Sequence, residues 1–293
     1  MKKKITLLLA LTCFIMMIGC SATHKDVDIL TTTAPVFTFV SQLCDGTNLN
    51  TDCLISENIT CLHDYTLQTS QMRAIEGADL LVISGANLEE SFADVLSTND
   101  KIVDASIGIG LICDEDVHDH EAGGDEHHHL QDPHIWLAPQ NAMIMVNNIA
   151  RGLTERFPQY AAIFEENRLK LQSKLEELDN YGKEQLYGIR SKELITFHDG
   201  FAYLAKSYDL HILHAIEEES GREASAAELI YICDLIEEHN LTAIFVEKNS
   251  SLSAAEIISA ETGTELFYLN MAMTGDYFEA MYQNIEALKE ALG

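Results

Sequence analysis

Asp132-Pro133-His134-Ile135-Trp136-Leu137 is the stretch on which the reading of this chain turns. Pro133 stiffens the backbone before the histidine, and three apolar residues follow it at once. His134 therefore enters the fold on an ordered segment. Just upstream the composition changes completely. Between His118 and His129 the chain carries His118, His120, His127, His128 and His129 together with Asp119, Glu121, Asp125 and Glu126. No apolar residue stands between Ala122 and Leu130, so this stretch cannot join a core and reads as an exposed loop over 114–131. Imidazoles and carboxylates crowded together make a loose, many-site ligand for a borderline divalent metal, zinc above all. The plainer alternative is a solvated polar loop.

Outward from that stretch, the chain alternates between strand and helix patterns on both sides. Upstream, the β-branched run 28–33 precedes a helix marked by Phe37, Val40 and Leu43. Strand 49–55, helix 69–76, strand 79–84, helix 88–96 and strand 101–104 complete a first β/α unit. Downstream, residues 141–186 contain almost no turn chemistry apart from Pro158 and Gly182. Tyr160, Phe164, Leu171, Leu175, Leu178 and Leu186 keep to one face at helical spacing, which predicts a long helix bent or restarted at Pro158. A second series follows, with strands at 194–197, 210–215, 243–246 and 265–269 alternating with helices at 201–207, 225–239, 254–262 and 276–291. The expected division is an N-terminal α/β lobe over 21–140, a linking helix over 141–187 and a C-terminal α/β lobe over 188–293.

At 293 residues and 47% apolar content the chain is large enough for two such lobes. Eighteen basic residues against 47 acidic ones give a formal charge of -29, which repels nucleic acid and anionic surfaces and attracts cations. At the start, three lysines and the apolar run 5–18 have the form of a secretory signal and are too short to span a membrane. Met17-Ile18-Gly19-Cys20 resembles a bacterial lipobox, with Met17 in place of the usual leucine. This predicts a signal over 1–20 and lipidation of Cys20, anchoring the chain to the outer face of the cell membrane. Cys44, Cys53, Cys61, Cys113 and Cys233 lack Cys-x-x-Cys spacing, so they form neither a structural zinc site nor a disulfide framework.

Three histidines occupy matching places. His63, His134 and His198 all fall in connections that leave strands, where open α/β sheets bind their ligands. Three imidazoles plus one further donor satisfy tetrahedral zinc. Asp276 is the favoured fourth ligand, although an aspartate three residues before Glu279 is also a natural helix cap. Glu247, at the end of a strand, suits an acceptor that orients a histidine, and Cys61 is a weaker candidate thiolate.

These motifs, His63-Asp64-Tyr65, Asp132 to Pro139, Phe197-His198-Asp199-Gly200-Phe201 with Tyr203, and Asp276-Tyr277 with Met281 and Asn284, resemble those of the solute-binding lipoproteins of bacterial metal ABC transporters. The resemblance covers essentially the whole mature chain and lies with the cluster that binds zinc or manganese. It implies two β/α lobes joined by one long rigid helix, a metal held between the lobes, and delivery to an ABC permease and its ATPase. It carries ligation to His63, His134, His198 and Asp276, and a histidine rather than glutamate at 198 resembles the zinc branch. Cys61-Leu62 departs from the acidic residue and proline that usually precede the first histidine, and Arg222-Glu223-Ala224 departs in a loop. The alternatives are a manganese-binding homologue, a metal-dependent adhesin, or a secreted zinc hydrolase. Against the hydrolase, His120-Glu121-Ala122-Gly123-Gly124 has glycine where a zincin needs its second histidine, and no Gly-x-Ser-x-Gly is present.

Overall fold

Short runs of consecutive apolar residues, such as Leu80-Leu81-Val82-Ile83 and Ala243-Ile244-Phe245-Val246, suit strands covered on both faces, and both sheets are wholly parallel. The computed structural model describes residues 27–55, 62, 65–113, 131–216, 224–248, 252–272 and 275–293. The leader with Cys20, residues His63 and Cys61, and the histidine-rich stretch lie outside them.

The first sheet contains β1 (Ile29–Thr31), β2 (Thr51–Cys53), β3 (Leu80–Ile83) and β4 (Ile102–Asp104) in the order β2-β1-β3-β4. The second contains β5 (Glu193–Thr196), β6 (His211–Ala215), β7 (Ala243–Glu247) and β8 (Glu265–Leu269) in the order β6-β5-β7-β8. Each sheet thus reverses its winding between its first and third strands. The crevice beyond the carboxyl ends of those strands is where such sheets receive ligands.

In the first lobe, α1 (Ala34–Leu43) starts with Pro35 in its first turn and buries Val36, Phe39, Val40 and Leu43, one face at helical spacing. Helix α2 spans Thr69–Gly77. The helix expected over 88–96 is instead a 3-10 turn, Glu90–Phe92, followed by the short α3 (Ala93–Ser97). There the Glu89 carboxylate folds back onto the end of β3, accepting from the Ser84 and Gly85 amides, and this competes with helix initiation.

The helix expected over 141–187, with a bend or restart at Pro158, restarts there. The run is two helices, α4 (Pro139–Arg156) and α5 (Ala161–Gln185), with a 3-10 turn at Pro158–Tyr160 between them. Pro158 has no N–H to continue the helical ladder, and Phe157 before it leaves the helical region at φ -128, ψ 62. The pair doubles back: Gln172 donates to the Met143 carbonyl at 2.7 Å and Arg168 donates to Asn147 Oδ1 at 3.0 Å. Only α5, about 37 Å long by its rise per residue, runs between the lobes. Asn167 on it donates to the carbonyls of Leu43 and Asp45 in the first lobe. Further along, Gly182 lies so close to the second lobe that a Cβ there would stand 2.3 Å from the Tyr208 ring.

The second lobe adds α6 (Ala202–Ser207), α7 (Ala226–His239), α8 (Ser253–Thr262) and α9 (Tyr277–Leu292). Ser225 and Glu228 close a capping box on α7, and Asp276 caps α9. One apolar cluster joins Phe39, Trp136, Leu175, Tyr203 and Tyr277, so the core runs through both lobes, with a smaller cluster around Ile232 and Ile244 behind the second sheet. Cys44, Cys53, Cys113 and Cys233 are free thiols. Among the described residues no helix is long and apolar enough to cross a membrane.

Candidate metal centre

The segment carrying His134 is fixed from both lobes. Cys113 and Gln131 pair in an antiparallel bridge, which brings the two ends of the histidine-rich stretch together. From the second lobe, the Tyr203 hydroxyl donates to the Asp132 carbonyl at 3.0 Å and accepts from the Ile112 amide at 3.0 Å. Ile135–Leu137 then form a fully buried 3-10 turn. The Trp136 indole donates to the Met271 carbonyl at 2.7 Å, and the Tyr277 hydroxyl donates to the Trp136 carbonyl at 2.7 Å. These bonds satisfy the polar ends of two large buried aromatics while joining the lobes beside the histidine.

Asp132 Oδ1 accepts from the His134 amide at 2.8 Å and meets His134 Nδ1 at 2.8 Å. A carboxylate only accepts, so Nδ1 carries the proton and the lone pair is left on Nε2. That tautomer leaves Nε2 able to ligate a divalent metal, with the ring turned by its carboxylate partner. His198, just beyond β5, brings its ring within 5.3 Å of the His134 ring, nearly perpendicular at 81°. His134 is 2% exposed and His198 8%, so both imidazoles stand in the crevice between the lobes rather than on the surface.

Glu247 ends β7 at the same crevice and is buried. Burial pushes its carboxyl up to about 7, while attraction to His134 pulls the other way. Asp276 is exposed, and its Oδ1 accepts from the Glu279 amide at 2.9 Å, the capping role that its place in the sequence also allowed. The described residues bring His134 and His198 ring to ring, with Glu247 near enough to His134 to feel its charge. They leave Asp276 at the helix end, and His63 with the histidine-rich stretch lies outside them. Among the described residues no three histidine, cysteine or acidic side chains already converge as a metal-holding group. Sequence reasoning passed over the orienting role of Asp132, for which the two-residue spacing to His134 was an available signal. It also passed over Met271, for which no signal existed.

Comparison with known proteins places the chain among metal-uptake components. Residues 29–291 match the family model described as zinc-uptake complex component A, periplasmic. The zinc-binding lipoprotein AdcA of Streptococcus pneumoniae is 31% identical over 98% of this chain. The chain spans 61% of that relative's length. The high-affinity zinc uptake system protein ZnuA of Bacillus subtilis is 29% identical, covering 99% of this chain and 98% of the relative. Among solved structures, a crystal structure of ZnuA superposes with TM-score 0.80 at 26% identity, covering 92% of this chain and all of that one. The Zn(II)-bound AdcA of Streptococcus pneumoniae gives TM-score 0.76 at 29% identity, covering 92% of this chain and 58% of that one.

Proposed function

Because the chain belongs to the zinc-uptake component A family, we propose that it captures Zn(II) outside the cytoplasm and hands it to an ABC permease driven by its ATPase. Cys20 carries the lipid that tethers it to the cell membrane. Zinc is cargo here and undergoes no chemistry. The observation that carries the reading is the buried His134–His198 pair, drawn from the two lobes, with Asp132 holding His134 in the tautomer that offers Nε2. We assign His63 and Asp276 as the remaining ligands, which completes a tetrahedral shell of three nitrogens and one oxygen. A filled shell leaves no open position for a substrate water, which favours carriage over hydrolysis. His118, His120, His127, His128 and His129 supply weaker auxiliary sites. Glu247, buried at the end of β7, serves as an acceptor that orients a histidine other than His134, whose Nδ1–H is already taken by Asp132.

Three imidazoles suit borderline zinc, whereas manganese gains less from nitrogen donors and more from oxygen. In direct competition at neutral pH, zinc is therefore expected to exceed manganese in affinity by at least about tenfold, roughly 1.4 kcal/mol. His134→Ala is expected to abolish the tight site in the same titration. Equal or tighter manganese binding would move the chain to the manganese-binding alternative, and an unchanged zinc affinity in His134→Ala would remove the site assignment.

A further inference from the structure

Gly200 closes the turn after His198, and the space its missing side chain would fill is already taken. A Cβ at this position would stand 2.6 Å from Met271 Cε, 2.9 Å from His134 Nδ1 and 2.9 Å from His198 Cδ2. Met271 is 1% exposed, and its carbonyl is the acceptor for the Trp136 indole. It leads from β8 toward Asp276. One methyl group and two imidazole rings thus converge on a single point, contributed by the connections after β4, β5 and β8.

We propose that Gly200 and Met271 form a size-coupled pair that sets how closely the His134 and His198 imidazoles approach, and so tunes the site toward a small, nitrogen-preferring ion. Resting on the ligand reading above, this assigns a positioning role to two residues that do not themselves touch the metal. The thioether is long and unbranched, so its methyl end fills the gap that glycine leaves. An added Cβ at 200 collides with the Met271 methyl, a flexible end that can retreat, and presses on the rings, which are held by Asp132 and by burial. Shortening residue 271 removes the closest of the three contacts and opens space into which the added methyl can shift away from the rings.

The test is a double-mutant cycle on the full chain, with zinc and manganese affinities, the visible spectrum of the Co(II)-loaded form and apo-protein melting measured for each variant. Gly200→Ala is expected to weaken zinc binding by at least about tenfold, to reduce the zinc-over-manganese ratio and to shift the cobalt bands. Gly200→Ala/Met271→Ala is expected to recover to within about threefold of the wild-type zinc affinity and ratio. Should the single variant fail to fold, recovery of cooperative melting in the double variant supports the pair, and a double variant as unfolded as the single overturns it. Wild-type affinity and spectrum in Gly200→Ala, or additive losses in the double variant, also overturn it. His134→Ala and His198→Ala serve as controls. If they keep the tight site, the ligand reading has failed; if they lose it while Gly200→Ala is silent, only the pairing has failed.

Discussion

Asp132 does for His134 what neither the proline nor the apolar turn can do, because it decides which ring nitrogen is offered to a metal. Asp132→Ala is expected to lower zinc affinity about 10- to 100-fold, the usual effect of removing a carboxylate behind a metal-bound imidazole. Asp132→Asn keeps an acceptor for both His134 N–H groups but loses the charge, and is expected to fall between that variant and the wild type. A competitive chelator titration measures both; an Asp132→Ala affinity equal to wild type would mean that the ring is oriented by packing against Trp136 instead. Glu89 is a second buried acid, held at the carboxyl ends of β1 and β3. Thr32 Oγ1, Ser84 N and Gly85 N donate to it at 2.5, 2.8 and 3.1 Å. Burial outweighs these bonds and pushes its carboxyl from the ordinary 4.5 up to about 7, with the nearby Asp104 charge adding to the effect. Its proton is therefore held more tightly in the folded state than in the unfolded chain. The neutral acid's contribution is fully present below about 4.5 and is lost as pH rises to about 7. Relative to wild type, Glu89→Gln should gain up to about 3 kcal/mol of stability across that window. Chemical denaturation at several pH values measures it, and a difference constant with pH would contradict the burial argument.

At the scale of the element, the β/α alternation was legible because parallel strands covered on both faces leave short unbroken apolar runs that differ in length and period from the helices. What was not legible was the direction of the chain after residue 157. One stripe from Tyr160 to Leu186 looks the same whether α4 continues into α5 or turns back onto it, and only Pro158 marked the place. His134 and His198 were legible as strand-end histidines, since a topological switch point needs no detailed coordinates to be anticipated. Asp276 was ambiguous for a physical reason: an acid at a helix start serves as a cap by the same geometry that would let it reach a ligand. Met271 was invisible, because its approach to Gly200 joins two connections of the second lobe that are far apart in the sequence. Helix α5 gives the clearest test at this scale. Replacing its interior Gly182 by alanine gains about 1 kcal/mol of helix propensity. The new Cβ would lie 2.3–2.4 Å from Tyr208 atoms in a packed interface, however, and overpacking of this kind costs about 1–3 kcal/mol. The collision should win, lowering the melting temperature of the metal-free protein. A higher melting temperature would show that Tyr208 swings away freely and that the second lobe is not braced on α5.

At the scale of the whole molecule, the lobes share one core beside the metal crevice, with Trp136, Tyr203, Tyr277 and α5 joining them. A formal charge of -29 attracts cations to the molecule as a whole, and under the proposed ligand set the buried imidazoles select among them. The excess of acid cannot by itself explain a preference for zinc, because carboxylates serve calcium, magnesium and manganese at least as well. Selectivity has to come from the nitrogen donors, and the donor set is therefore the claim on which the account depends. X-ray absorption at the zinc edge, recorded on the full chain loaded with one equivalent of metal, reads that set directly. The account predicts a four-coordinate shell of three imidazole nitrogens and one carboxylate oxygen at about 2.0–2.2 Å, with no sulfur. A sulfur shell at about 2.3 Å, as a Cys61 thiolate would give, or a shell with fewer than two imidazoles, would contradict it.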